Sequence, residues 1–163
     1  MSNKTDEKDK VTLVVFSQDF DKAIASFIIA TGAAAMGYEV TMFFTFWGIN
    51  VLRDPNKSGK GKNIVEKMFA VMMPKGATKL KLSKMNMAGI GTKMMKKIMK
   101  KKNIESLESL IEMAKEMDIK FVICQMSMDL MGIKKEEIID GVDFGGVASY
   151  IGETTDANVN LFI

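Results

Sequence analysis

The sequence predicts a parallel α/β layer built by one domain, because short apolar, β-branched runs alternate with helix-length segments, and right-handed crossovers join such strands. Residues 11–16 (Val-Thr-Leu-Val-Val-Phe) and 120–124 (Lys-Phe-Val-Ile-Cys) lack the in-out polar alternation of a half-exposed strand and suit strands buried on both faces. Between them, Leu107, Leu110, Ile111, Ala114 and Met117 recur at helical spacing. A length of 163 residues is enough for one such core and short for two.

Residues 1–10 are polar with mixed charge and no apolar centre, so they read as a short disordered tail and the domain as 11–163. After the first strand, Ser17, Gln18 and Asp19 form a polar turn with Asp19 as helix N-cap. The set Ala23, Ile24, Phe27, Ile28, Thr31 and Ala35 then keeps helical period until Gly37. That helix is apolar nearly all round, which predicts cover on two sides. A second strand over 39–46 ends in Trp47 and Gly48. A polar loop over 53–62 leads to a helix over 63–73, closed by Pro74.

The helix over 107–117 carries Glu105 and Glu108 near its positive end. Past Cys124, residues 125–132 make a methionine-rich turn or short helix, 138–139 a brief fourth strand, and Asp143 caps a helix reaching Glu153. Residues 159–163 form an apolar last strand. Segment 74–104 fits the alternation least and reads as an insertion packed on one edge.

Composition removes many chemistries. Without a histidine there is no serine-histidine triad and no imidazole zinc site. A single cysteine makes no internal disulfide, CxxC pair or cysteine-rich metal site, so no metal is expected and a reducing, cytoplasmic setting follows. The longest uncharged run of the first half, 23–38, falls short of the roughly 20 apolar residues a membrane span needs. Net charge is +3, but the stretch between Glu66 and Glu105 holds eleven lysines and no acid.

Within that stretch, residues 92–102 form a cationic amphipathic helix. Met94, Met95, Ile98 and Met99 lie on one side, and Lys93, Lys96, Lys97, Lys100 and Lys101 around the rest. Docking on its own domain or another subunit, contact with anionic lipid at a membrane surface, and contact with a protein partner are the readings left open. Specific nucleic-acid binding is not expected, because residues 74–104 contain no aromatic to stack on a base. Residues 58–63 (Ser-Gly-Lys-Gly-Lys-Asn) fail the phosphate-loop pattern, and 143–146 fail the dinucleotide fingerprint.

In open parallel sheets, function gathers beyond the carboxyl ends of the strands. There the sequence places Ser17 and Gln18, then Phe46, Trp47 and Gly48, and then Cys124. Free N–H groups of the turn after Cys124, those of Gln125 and Met126, would favour a thiolate. The competing reading is a buried cysteine serving as a small hydrophobe.

Residues 43–48 (Phe-Phe-Thr-Phe-Trp-Gly), 84–89 (Lys-Met-Asn-Met-Ala-Gly) and 124–129 (Cys-Gln-Met-Ser-Met-Asp) with Met131 and Gly132, taken together, resemble the DsrE/DsrF-like family, in particular the DsrE-like subfamily with a methionine-rich insertion. The resemblance covers 11–163. It implies a flavodoxin-like three-layer α/β/α fold with a mainly parallel sheet of about five strands, commonly a homo-oligomer. It also implies a lone cysteine that accepts sulfane sulfur as a persulfide and hands it on, and Cys124 matches that cysteine. The partners implied are sulfur-carrier proteins, rhodaneses and disulfide reductases.

Persulfide exchange needs only a thiolate and a donor sulfur, so no cofactor is obligatory beyond the transient persulfide; coenzyme A or a similar thiol stays open as a ligand. Met126, Met128 and Met131, with Ser17, Phe46, Trp47 and Gly48, are expected to wall the thiol with polarizable, apolar groups. A sulfur carrier or sulfurtransferase is one expectation. A non-catalytic oligomeric scaffold or membrane-surface adaptor is the other.

Overall fold

The structure is a computed structural model that describes residues 9–163. Most of the tail expected over 1–10 lies outside the described residues, and Lys10 already pairs in the first strand. Five strands form one parallel sheet: β1 (Lys10–Val15), β2 (Glu39–Phe44), β3 (Lys120–Cys124), β4 (Asp143–Gly145) and β5 (Val159–Phe162), in the order β4-β3-β2-β1-β5. The chain steps outward from β1 to β4 and then returns to the far side of β1. Parallel crossovers keep one hand, so this reversal moves the connecting helix to the opposite face.

One face carries the large core. Leu13, Val15, Met42, Phe44, Phe121 and Ile123 pack there under α1 (Phe20–Ala35) and α4 (Leu107–Glu116). Each fully buried side chain of this size contributes about 1.5–3 kcal/mol. Phe27 lies 5.7 Å edge-on from Phe121 and 6.1 Å from Phe44, locking α1 onto β2 and β3. The other face is thinner. Among the described residues only α6 (Val147–Thr154) covers it, and Phe43, Val122 and Cys124 form a small buried cluster with half-buried Val14 and Tyr150. Helices on both sides of the sheet make the three-layer α/β/α architecture.

Local signals explain most of the elements. Asp19 occupies the N-cap position of α1 but makes no capping bond; its carboxylate pairs with Lys22 at 3.0 Å. Ser106 caps α4 by accepting from the Ser109 N–H. Asn63 and Glu66 form a reciprocal capping box at the start of α2 (Ile64–Met72). β2 ends two residues earlier than the sequence predicts, and Phe46–Leu52 winds into a 3-10 helix whose Ile49, Asn50, Val51 and Leu52 are buried.

Two expectations at the C-terminal end are corrected. Residues 138–139 are not a strand: Ile138 makes one isolated antiparallel bridge to Arg53, and the fourth strand is Asp143–Gly145. Asp143 therefore sits in that strand, and Gly146 occupies the N-cap of α6. A run of two isoleucines followed by Asp-Gly is too short to compete with the pairing that β3 offers to residues 143–145.

Segment 74–104 contains α3 (Ile90–Lys101) after two short 3-10 turns. Only Gly91, Thr92 and Met99 of α3 are buried, and Met94, Met95 and Ile98 stay exposed. The methionine face therefore docks through Met99 alone. Lys96 turns inward: its ammonium donates to the Thr78 carbonyl at 3.0 Å and stands 4.9 Å over the Phe20 ring. Lys93, Lys97, Lys100 and Lys101 remain in solvent.

Candidate functional site at the carboxyl edge of the sheet

Cys124 is the last residue of β3 and the N-cap residue of α5 (Gln125–Met131). A β-strand alternates its side chains, so Phe121 and Ile123 enter the large core while Val122 and Cys124 face α6. The thiol is free and 1% exposed. Phe43 of β2 shares its cluster, and the Tyr150 ring stacks on Phe43 at 4.7 Å and 22°. A cleft of about 280 Å³ opens on this face between β3, β4 and α6, lined by Phe43, Val122 and Tyr150. Its outer end carries the Lys120–Glu153 ion pair at 2.6 Å.

The backbone turns sharply at Cys124. No side chain caps α5, so the N–H groups of Gln125 and Met126 stand free at its start. Ser127, fully buried in the first turn, shares a 2.8 Å hydrogen bond with the Thr45 hydroxyl and fastens α5 to the end of β2. Gly132, at φ 65, ends the helix in the left-handed region.

The remaining residues expected around the thiol divide between two places. Met126 is exposed beside Cys124. Met128 and Met131 are buried in the large core, on the side of the sheet away from the thiol's cluster, because helical period turns positions 128 and 131 inward together. Ser17, Phe46, Trp47 and Gly48 gather over the ends of β1, β2 and β5. The Ser17 hydroxyl accepts from the Asp19 N–H at 3.1 Å. Phe46, at φ 46, sits 5.6 Å from Phe16, which lies 5.6 Å from Phe162. Trp47 is partly exposed. Gly48 donates its N–H to the Phe16 carbonyl at 2.8 Å, and a Cβ there would stand 2.0 Å from the Val15 carbonyl oxygen. Gly48 is thus required by the close approach of the 3-10 helix to β1.

Sequence reasoning missed a buried polar chain along the same edge. Arg53 and Glu137 are both 2% exposed and pair at 3.0 Å. Glu137 also takes Lys62 at 2.6 Å and the Lys134 N–H at 2.9 Å. Burial pushes its carboxyl up, but the Lys134 N–H, the Lys62 ammonium and the Arg53 guanidinium outweigh that and hold it below the ordinary carboxylate range. Arg53 donates onward to Asn50 at 3.1 Å, and Asn50 donates to Gln18 at 2.8 Å. Arg53 Nε is buried without a partner among the described residues. The sequence signal was a lone arginine at the head of a polar loop, where an exposed charge is the ordinary expectation.

Among the described residues there is no group of three or more His, Cys, Asp or Glu side chains that could hold a metal, and no helix is long and apolar enough to cross a membrane.

Comparison with known proteins agrees with this architecture. The chain is 51% identical over 159 residues to a Bacillus subtilis (strain 168) protein named "Uncharacterized protein YrkE", spanning 98% of this chain and 99% of that one. It is 35% identical over 158 residues to the "Sulfur carrier protein DsrE2" of Allochromatium vinosum, spanning 96% and 99%. Among solved structures, the ychN protein of E. coli matches with a TM-score of 0.56 over 95% of this chain and 99% of that one. At 12% identity this likeness concerns the fold alone. The sequence profile of the DsrE/DsrF/DrsH-like family matches residues 7–162. A profile match from before β1 to the end of β5, with these relatives aligned end to end, means that the chain belongs to the DsrE/DsrF/DrsH-like family.

Proposed function

We propose that this protein is a sulfur-relay protein that carries sulfane sulfur as a persulfide on Cys124 and passes it to an acceptor thiol. The observation that carries the reading is the address of the only cysteine, at the carboxyl edge of β3 with the uncapped N–H groups of α5 next to it. The 35% identity to a protein named a sulfur carrier supports it.

In the first step the Cys124 thiolate, its proton released to water, attacks the outer sulfur of a donor persulfide. A new S–S bond forms at Cys124, the donor's S–S bond breaks, and the donor leaves as a thiolate. In the second step an acceptor thiolate attacks the outer sulfur of the Cys124 persulfide and Cys124 leaves as a thiolate, so no net oxidation occurs. The N–H groups of Gln125 and Met126 stabilise the anionic sulfur, and Met126 gives a soft apolar neighbour. Because the thiol is buried, delivery requires local opening of α6 at Tyr150. Donors and acceptors of the class of small sulfur-carrier proteins, rhodaneses and disulfide reductases fit this chemistry, and coenzyme A persulfide is a candidate low-molecular-weight form. The thin α6 face, with Val147, Ile151 and Phe162 exposed, suits association of copies of the chain.

Intact mass after incubation with a persulfidated carrier tests the relay: a gain of one sulfur lost in Cys124→Ser supports it, and uptake by Cys124→Ser overturns it.

One observation favours the second reading, an adaptor at an anionic membrane surface in a cytoplasmic setting. α2 buries none of its residues, and Ile64, Val71 and Met72 stand out in solvent within a lysine-rich segment. Salt-sensitive flotation with vesicles containing anionic lipid supports that reading, and failure to float counts against it.

A further inference from the structure

We propose that the cleft between the start of α1 and the end of α2 binds a small organic oxyanion, a phosphate- or sulfonate-bearing molecule with an apolar body. This goes beyond the sulfur relay and stands on different residues. The cleft encloses about 490 Å³ at the carboxyl end of β1. β1 is the strand from which the chain steps first to β2 and finally back to β5, and open parallel sheets bind ligands at such a reversal.

The buried polar chain determines what this cleft offers. A guanidinium only donates, so Asn50 must turn its carboxamide oxygen to Arg53. The Asn50 amide nitrogen then points to Gln18, which must answer with its own oxygen. Gln18, which lines the cleft, is left with its NH₂ donors uncommitted among the described residues. A buried arginine thus fixes, through two amides, a donor at the cleft wall.

The same chain holds the opposite wall. The Gly76 N–H donates to the Asn50 carbonyl at 3.0 Å, and the Lys79 N–H to the Gly76 carbonyl at 3.0 Å. The Lys81 carbonyl accepts from the Phe20 N–H at 2.8 Å. Gly76 has φ 87, and a Cβ there would stand 2.6 Å from the Arg53 carbonyl oxygen, so the turn is built tightly against the network.

Lys79 and Lys81 line the cleft without a carboxylate partner among the described residues, while Lys75 donates to the Lys57 carbonyl. The one acid in the lining, Asp19, is already paired with Lys22. Two unpaired cations and an oriented amide donor select an oxyanion. Met73, which is buried, and Pro74 supply the apolar floor that selects an organic one.

The test is titration of the full chain with phenyl phosphate, with inorganic phosphate and phenol in parallel arms, observing the Gln18 side-chain amide and the methionine methyls by NMR. Saturable shifts at Gln18 and Met73, tighter for phenyl phosphate than for inorganic phosphate and absent with phenol, are expected. Equal affinity for inorganic phosphate overturns the organic ligand class. Gln18→Glu keeps an acceptor for Asn50 but turns an oxygen to the cleft, and should weaken binding about tenfold or more, as should Lys79→Gln. The Lys84→Gln control, outside the cleft, should bind as the unaltered chain does. Undiminished binding in a folded Gln18→Glu variant, or unsaturated shifts scattered along α3, overturns the site.

Discussion

Replacing Glu137 by glutamine removes the one negative charge from a cluster that buries two cations. In the folded chain Oε1 accepts from Arg53 at 3.0 Å, while Oε2 accepts from Lys62 at 2.6 Å and from the Lys134 N–H at 2.9 Å. A glutamine has one oxygen to offer. Placed toward Lys62 and Lys134, it sets its NH₂ against the Arg53 guanidinium; placed toward Arg53, it sets its NH₂ against an ammonium and a backbone donor. Either way a buried cation faces a donor. Breaking a buried ion pair from one side costs about 3–5 kcal/mol. With a urea slope of about 2 kcal/mol/M, the unfolding midpoint at pH 7 should fall by roughly 2 M.

The pH dependence gives a second readout. The folded carboxyl of Glu137 lies below its unfolded value, so its contribution is complete above the ordinary carboxylate range and disappears as pH falls through the folded value. The gap between the unaltered chain and Glu137→Gln should therefore close on acidification, with the variant showing the flatter profile. A midpoint change under about 0.5 M at pH 7, the scale of an exposed ion pair, would refute the reasoning.

Three further outcomes follow from the same geometry. Gly48→Ala must move either the 3-10 helix or β1, because its Cβ would stand 2.0 Å from the Val15 carbonyl oxygen; a loss of about 3 kcal/mol or more in chemical unfolding is expected, and a near-neutral change would contradict the close approach. Tyr150→Ala removes the ring stacked on Phe43 over the thiol's cluster, worth about 0.5–1.5 kcal/mol, so iodoacetamide should label Cys124 up to about tenfold faster; an unchanged rate would mean that α6 does not gate the thiol. Asn63→Ala breaks the capping box of a helix that buries no residue, and should raise amide exchange throughout α2 by about 1 kcal/mol of local stability while the global unfolding temperature holds.

What was legible in the sequence was whatever a period or a run could carry. β1 and β3 are continuous apolar runs and α4 is a clean amphipathic repeat, and each falls within a residue or two of its expected bounds. The position of Cys124 at a strand end was readable for the same reason. Which way its side chain points was not, since alternation from Phe121 shows two faces without saying which helices lie over each. Hence Met128 and Met131, three residues apart on one helix face, read from sequence as neighbours of the thiol although they belong to the opposite core. Arg53, Lys62 and Glu137 are spread over a separation of 84 residues with helices and a strand between them, and only the folded chain brings them together. β4 was misplaced because its three residues pair by register with β3 rather than by their own propensity.

The sheet order also has a kinetic consequence. β1 through β4 each pair with a sequence neighbour among the strands, but β5 must find β1, and the bonds between Lys10 and Asn158 close a separation of 148 residues. Long closures form late, because their entropy is lost before their contacts are gained. During synthesis, four strands can assemble while the outer edge of β1 stays bare, offering the unpaired backbone groups of its Val-Thr-Leu-Val stretch to any other strand. Arrival of β5 closes that window, so variants that weaken β5 should first betray themselves as aggregation during expression, before any defect shows in the purified protein.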